Sequence, residues 1–473
     1  MIFRSLMAAS AVAAFSLPGI HIGGGGDAPL PPPAVQAEAR DMLAELVGIN
    51  TTHDMGTAKA VQAVAARLKS AGFTDADINI IAPPDHPTQP NLIVRLKGNG
   101  KDHPILFECH LDVVEAKPED WSLPPFKLTE KDGYFYGRGS IDMKDEDVSV
   151  LSALMRLKRE GFKPDRDIIV VFTADEEGGD ANGVDFLMKS HRDLVDAEYA
   201  INAEDGGGSL QNGKRLGYGI QTSEKTYVTF QMETTNPGGH SSHPEPDNAI
   251  YRLAEGLVRL EKLQFPLKMN ATARGFFKAQ AEQQTGQLKA DMLEVSRNDP
   301  DPAAVDRISA DPRWNPYLRT TCVATMANAG HAENALPQRA RATIQCRMMP
   351  GDTAADVQLR IEQTINDPRT AVSVIWPAQE SGESVLQPRV GNRADSVIHS
   401  MWPGVRIFPT MDIGASDALF SRAANIPTYG LSGMWFDVDD NRAHGRDERV
   451  SVSAFYEDVE FNYRLMKALS EAG

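Results

Sequence analysis

An apolar run, IIVVF at residues 168–172, leads within three positions into the acids Asp175, Glu176 and Glu177, which two glycines follow. A strand so uniformly apolar is buried on both faces, as in the parallel sheet of an α/β protein. Carboxylates gathered at its end repel one another and resist desolvation unless a positive charge lies between them. The chain therefore either ends this strand in a solvated loop or holds a cation there.

The same pattern recurs in PILFECHLD, residues 104–112, a second apolar strand that ends in His110 and Asp112. Strand alternation puts the two on one face, so the carboxylate can orient an imidazole that binds a metal. Helical periodicity over residues 37–49, 58–71 and 144–160 alternates with strands at 91–98, 104–112 and 168–172, which predicts an α/β sheet with its functional groups at strand ends. The pattern changes between residues 222 and 350, where TYVTFQME and RARATIQCRMM read as strands around a helix-rich middle. The simplest organisation is an inserted domain at 222–350 within a domain formed by 34–221 and 351–473.

With 473 residues, 41% of them hydrophobic, the chain can bury a large core, and its net charge of −17 excludes nucleic acid and anionic membrane surfaces as partners. Residues 1–33 read as a signal peptide and a Gly/Pro-rich tether: Arg4 precedes an apolar run at 6–17 that is too short to span a bilayer, and GGGG and PPP follow. An exported protein, periplasmic or secreted, with no stable membrane span after processing is expected, a retained anchor being the alternative. Cys109, Cys322 and Cys346 form no metal spacing and read as buried small hydrophobes, with a Cys322–Cys346 bridge open to them in an oxidising compartment.

Three further segments deliver candidate ligands: YGRGSIDMKDEDVS with Asp142, YAINAEDGGG with Glu204 and Asp205, and DNRAHGRDER with His444. The plainer reading of Asp142 is a helix cap, with Asp145, Glu146 and Asp147 as solvated acids of the first turn. The pairs of histidine and acid at His191, His243 and His331 fall in loop-like contexts and read as solvated. Two histidines and three carboxylates from five separate segments suit a pair of zinc ions with one shared carboxylate.

In order and context, HLDVV, GRGSIDMK, ADEEGG, AEDGGG, GGHSSHPE and AHGRDE resemble the co-catalytic di-zinc metallopeptidase family of aminoacylases, glutamate carboxypeptidases, succinyl-diaminopimelate desuccinylase and carnosinase-like dipeptidases. The resemblance runs from about residue 38 to the end. It implies a three-layer α/β zinc-peptidase catalytic domain with a mostly parallel central sheet, and a smaller inserted α+β lid or dimerisation domain. It implies two Zn2+ per chain, with Co2+ or Mn2+ as substitutes, held by His110, Asp142, Glu177, Asp205 and His444. Asp142 would bridge the metals and precede a cis peptide bond, Asp112 would steady His110, and Glu176 would be the catalytic base. The fourth ligand is ambiguous between Glu204 and Asp205; Asp205 is preferred because it directly precedes Gly206.

The resemblance further implies that His240 of GGHSS donates to the oxyanion, often across a dimer interface, and that Asn334, Arg347 and the turn at Gly414 bind substrate. An arginine can grip a carboxylate with two parallel hydrogen bonds. The expected function is cleavage of an amide next to a free carboxylate, by a carboxypeptidase or dipeptidase. The alternatives are an N-acyl-amino-acid hydrolase or, against the presence of both Asp112 and Glu176, an inactive peptide-binding homologue. The expected partners are a small peptide or N-acyl amino acid and, through the inserted domain, a second copy.

Overall fold

The computed structural model describes residues 28–179 and 181–471. The expected signal peptide lies outside them, as does most of the expected tether. The tether's end is not free of the core: Ala28 is buried against it, and the first helix, Pro33–Val47, starts at the last proline of PPP. That helix and Ala58–Ser70 place Met42, Leu43, Leu46, Val61, Val64 and Leu68 inward at helical spacing.

The main sheet is built on three parallel strands, Ile168–Thr173, Ile105–His110 and Tyr199–Asn202, all fully buried as their apolar runs require. It is parallel at this centre and mixed at its flanks. Asn91–Leu96 runs antiparallel to Ile168–Thr173 on one side. On the other side, beyond Thr428–Gly430, Lys214–Glu224 runs antiparallel to Gly207–Gln211 and parallel to Ile407–Asp412. Helices cover both faces, with Lys144–Arg159 and Val452–Ser470 packed together on one of them. Three central strands thus end side by side: His110 closes one, and Glu176, Glu177, Glu204 and Asp205 follow the other two.

A second, four-stranded antiparallel sheet is ordered Thr321–Ala329, Arg339–Met348, Thr226–Thr235, Thr370–Trp376. Helices Ala249–Glu261 and Ala354–Ile365 cover one face, burying Val228, Phe230, Met232, Ala342 and Ile344. The insert therefore runs to Trp376, past the expected return at 351, because the helix and strand that follow Gly351 pack on this sheet. Its first and last strands, Thr226–Thr235 and Thr370–Trp376, are antiparallel neighbours. The helices at 271–309 behave differently and pack back on Phe408 of the main sheet. Cys322 and Cys346, opposite each other on paired strands, form a disulfide, whereas Cys109 is a buried thiol.

Candidate metal centre and substrate cleft

His110 is the last residue of its strand and is almost wholly buried. Its Nε2 faces Asp142 Oδ1 at 3.5 Å and Glu204 Oε1 at 3.9 Å. The second oxygen of Asp142 lies 3.0 Å from His444 Nε2, and that nitrogen lies 2.8 Å from Glu177 Oε1. Asp142 thus stands between two half-sites, one with His110 and Glu204, the other with His444 and Glu177. The Asp142–Met143 peptide bond is cis. His110 Nε2, Asp142 Oδ1 and Glu204 Oε2 are buried with no hydrogen-bond partner. Three buried polar atoms without partners on neighbouring side chains are costly in a folded chain unless a cation joins them, and imidazole with carboxylate is the donor set of borderline divalent metals.

The charges respond accordingly. Burial alone would depress the His110 imidazole, but the facing carboxylates of Asp142 and Glu204 hold it well above the ordinary histidine value. Asp142 and Glu177 raise His444 to about 10. Burial first, and then the Glu204 charge, push the Glu176 carboxyl up.

The structure separates the two candidates for the fourth ligand. Glu204 turns toward His110, while Asp205 turns away and accepts from Ser416 Oγ at 2.6 Å and Asn202 Nδ2 at 2.8 Å. The preference for Asp205 is therefore corrected in placement, because neighbouring residues after a strand point to opposite sides and the second side is occupied by Ser416. Asp112 also differs from its expected part. Its carboxylate is 3.6 Å from His110 Nδ1, which instead faces the Asp112 carbonyl oxygen at 3.1 Å. The carboxylate accepts the backbone amides of Glu176 at 3.1 Å and Glu177 at 2.9 Å.

That turn has a further support without a signal in the sequence. Asp175, at φ 64°, meets His53 Nδ1 at 2.5 Å and accepts the Ala181 amide at 2.5 Å. The first-turn acids also depart from expectation: Asp145, Glu146 and Asp147 are buried, and burial drives all three carboxyls up, Asp145 to about 8.

Arg347 lies on the uncovered face of the second sheet, 4.8 Å from the Tyr227 ring centroid, with Nη1 buried and unpartnered. Burial lowers its affinity for its proton, against the attraction of Asp412 and Glu224. The Gly414 amide is taken by Asp412 Oδ1 at 2.8 Å. His240 and Asn334 sit together elsewhere, on a short exposed ribbon where the Ser241 amide donates to the Asn334 carbonyl and His240 Nδ1 meets Ser242 Oγ at 2.7 Å. Among the described residues, neither side chain meets the metal-centre residues within this chain.

The sequence profile described as Peptidase family M20/M25/M40 matches residues 106–468. The N-fatty-acyl-amino acid synthase/hydrolase PM20D1 of Xenopus tropicalis is 29% identical over 383 residues, covering 78% of this chain and 74% of that protein. A probable carboxypeptidase S-like 2 of Dictyostelium discoideum is 29% identical over 389 residues, covering 80% and 74%. Among solved structures, an M20 family metallo-carboxypeptidase, Sso-CP2 from Sulfolobus solfataricus, superposes with a TM-score of 0.67 at 15% identity over 92% of this chain and 99% of its own.

Proposed function

The chain belongs to peptidase family M20/M25/M40, a family of metal-dependent peptidases and amidohydrolases, and from that premise we propose that it cleaves the amide bond next to a free α-carboxylate, using two zinc ions. The observation that carries the substrate reading is Arg347, whose half-buried guanidinium presents an unpartnered Nη1 on the open face of the second sheet. A buried donor without a partner is costly, and a substrate carboxylate relieves that cost with charge-assisted hydrogen bonds.

His110, Glu204 and one oxygen of Asp142 would hold one ion; His444, Glu177 and the other oxygen would hold its neighbour. Zinc held there would supply Lewis acidity toward a carbonyl and lower the pKa of water. Glu176 takes a proton from the attacking water on its carboxylate and hands it to the leaving nitrogen. Asp112 fixes the backbone from which both Glu176 and Glu177 project. Arg347 orients the substrate by its carboxylate.

The exposed ribbon carrying His240 and Asn334 is the part this chain does not bring to its own centre, and its exposure supports a homodimer in which a second copy supplies it. The Cys322–Cys346 bridge supports export to an oxidising compartment. The deciding experiment compares one acyl or peptidyl amino acid with its C-terminus free and the same molecule amidated, on zinc-loaded protein. A large preference for the free acid is expected; equal kcat/KM would remove carboxylate recognition.

A further inference from the structure

Asp142 and His444 reach the metal centre on two loops that leave the same short ladder. Tyr134–Tyr136 and Arg449–Ser451 run antiparallel, with Tyr136 opposite Arg449, and one step further on the Gly137 amide donates to the Glu448 carbonyl at 3.1 Å. Beyond that point no strand or helix holds either chain before its ligand: residues 137–143 and 444–448 are turn and coil. His444 moreover sits at φ 62°, a region that a residue with a side chain occupies where its surroundings keep it there.

One ion pair spans the two loops. Arg138 and Glu448 are both buried, and Arg138 Nη1 donates to Glu448 Oε2. The other carboxylate oxygen accepts the amide of Ile141, the residue before Asp142, at 2.9 Å. The second arm of Arg138 donates to the His444 carbonyl at 3.4 Å and to the Glu115 carbonyl at 3.3 Å, and the guanidinium lies 5.1 Å from the Trp121 ring centroid. These contacts close a circuit from the backbone before Asp142, through Glu448 and Arg138, to the backbone of His444. A buried ion pair adds little net stability over packed apolar side chains of its size, because desolvation offsets its attraction, but it can fix a geometry that apolar contacts leave loose.

We propose that Arg138 and Glu448 are positioning residues for the half-site of Asp142 and His444, holding the two loops at one separation so that this half-site is formed before its ion arrives. The inference rests on the two-metal reading of the centre. The half-site of His110 and Glu204 has separate support, since His110 ends one central strand and Glu204 follows another. Loss of the pair therefore falls mainly on the ion held by His444.

The test uses Arg138→Met, Glu448→Gln, the double variant Arg138→Met/Glu448→Met, and Arg138→Lys, which keeps the charge beside Glu448 but lacks the second arm. Elemental analysis of zinc-loaded, desalted protein reads the number of ions, calorimetry reads their affinities, and Tm is taken with and without zinc. The wild type should hold two ions and gain Tm on loading. The single variants should keep about one ion, bind the second about 10- to 100-fold more weakly, and gain less Tm from zinc. The double variant strands no charge and should recover much of the metal-free Tm lost in Arg138→Met or Glu448→Gln, but not the second ion. A pair that serves packing alone would move the metal-free Tm and leave the second affinity where it was. Recovery of both by the double variant, or wild-type affinity for two ions in Arg138→Lys and the other single variants, overturns the proposal. Should a single variant fail to fold, the double variant decides: two tightly bound ions overturn the proposal and one supports it. A wild type that binds only one ion overturns the two-metal reading itself, and the proposal with it.

Discussion

The carboxylate of Asp112 holds the backbone of Glu177 by accepting its amide at 2.9 Å, and takes the Glu176 amide at 3.1 Å with its other oxygen. One side chain thereby fixes the spacing between the proposed base and a proposed ligand. Asp112→Asn replaces one acceptor with a donor that faces an N–H. Metal affinity should fall by about 10- to 100-fold, the usual cost of losing a group that orients ligands. Kinetics and bound metal, measured together, should fall together; loss of kcat at full metal occupancy would confine Asp112 to the base.

Glu176 and Glu177 should separate cleanly. Glu176→Gln removes a proton carrier and should lower kcat by about 100- to 10,000-fold with metal content retained. Glu177→Gln removes an oxygen that faces His444 and should lower metal stoichiometry. Elemental analysis of both variants decides the assignment, and equal metal loss would show that it is wrong.

Glu204 and Asp205 should differ in kind. Glu204→Gln should lose metal from the half-site shared with His110. Asp205→Asn disturbs hydrogen bonds to Ser416 and Asn202 and should lower the melting temperature with smaller metal loss. The reverse pattern would return Asp205 to the metal.

Arg347→Ala should lower kcat/KM for a free-carboxylate substrate by about 2–5 kcal/mol of transition-state binding, and Arg347→Lys should not restore it, because an ammonium lacks the paired donors. The amidated substrate should be nearly indifferent to both changes. Similar losses on the two substrates would point to a structural role beside Tyr227.

Glu108, buried in the central strand, has its carboxyl pushed up to about 8, by burial first, despite the Ser421 hydroxyl. Its folded value exceeds its unfolded value, so its contribution to stability is complete below the ordinary carboxylate range and is lost as pH rises toward 8. Glu108→Gln should therefore flatten the decline in melting temperature between about pH 5 and pH 8. A variant whose pH profile parallels the wild type would show that Glu108 is ionised in the fold.

The strand part of the fold is readable from the chain because its apolar runs end where the structure ends the strands, at His110 and shortly before Glu176 and Glu204. What the sequence could not show depends on residues distant along the chain. Ser416, 211 positions away, decides that Asp205 turns outward. Ala354–Ile365 and Thr370–Trp376 have ordinary helix and strand patterns, and no local pattern states which of two sheets they join. The spacing of Asp145, Glu146 and Asp147 is that of solvated first-turn acids, and nothing local in it marks their burial.

The adjacency of the insert's first and last strands has an evolutionary consequence. Thr229 pairs with Trp376, so the two seams of the insert lie side by side and the whole unit can be exchanged as a cassette without parting the main sheet. His110, Asp142, Glu177, Glu204 and His444 all lie outside that cassette, while Arg347 lies within it. Descent can thus rewrite what is recognised by remodelling one module, leaving the hydrolytic machinery inherited intact.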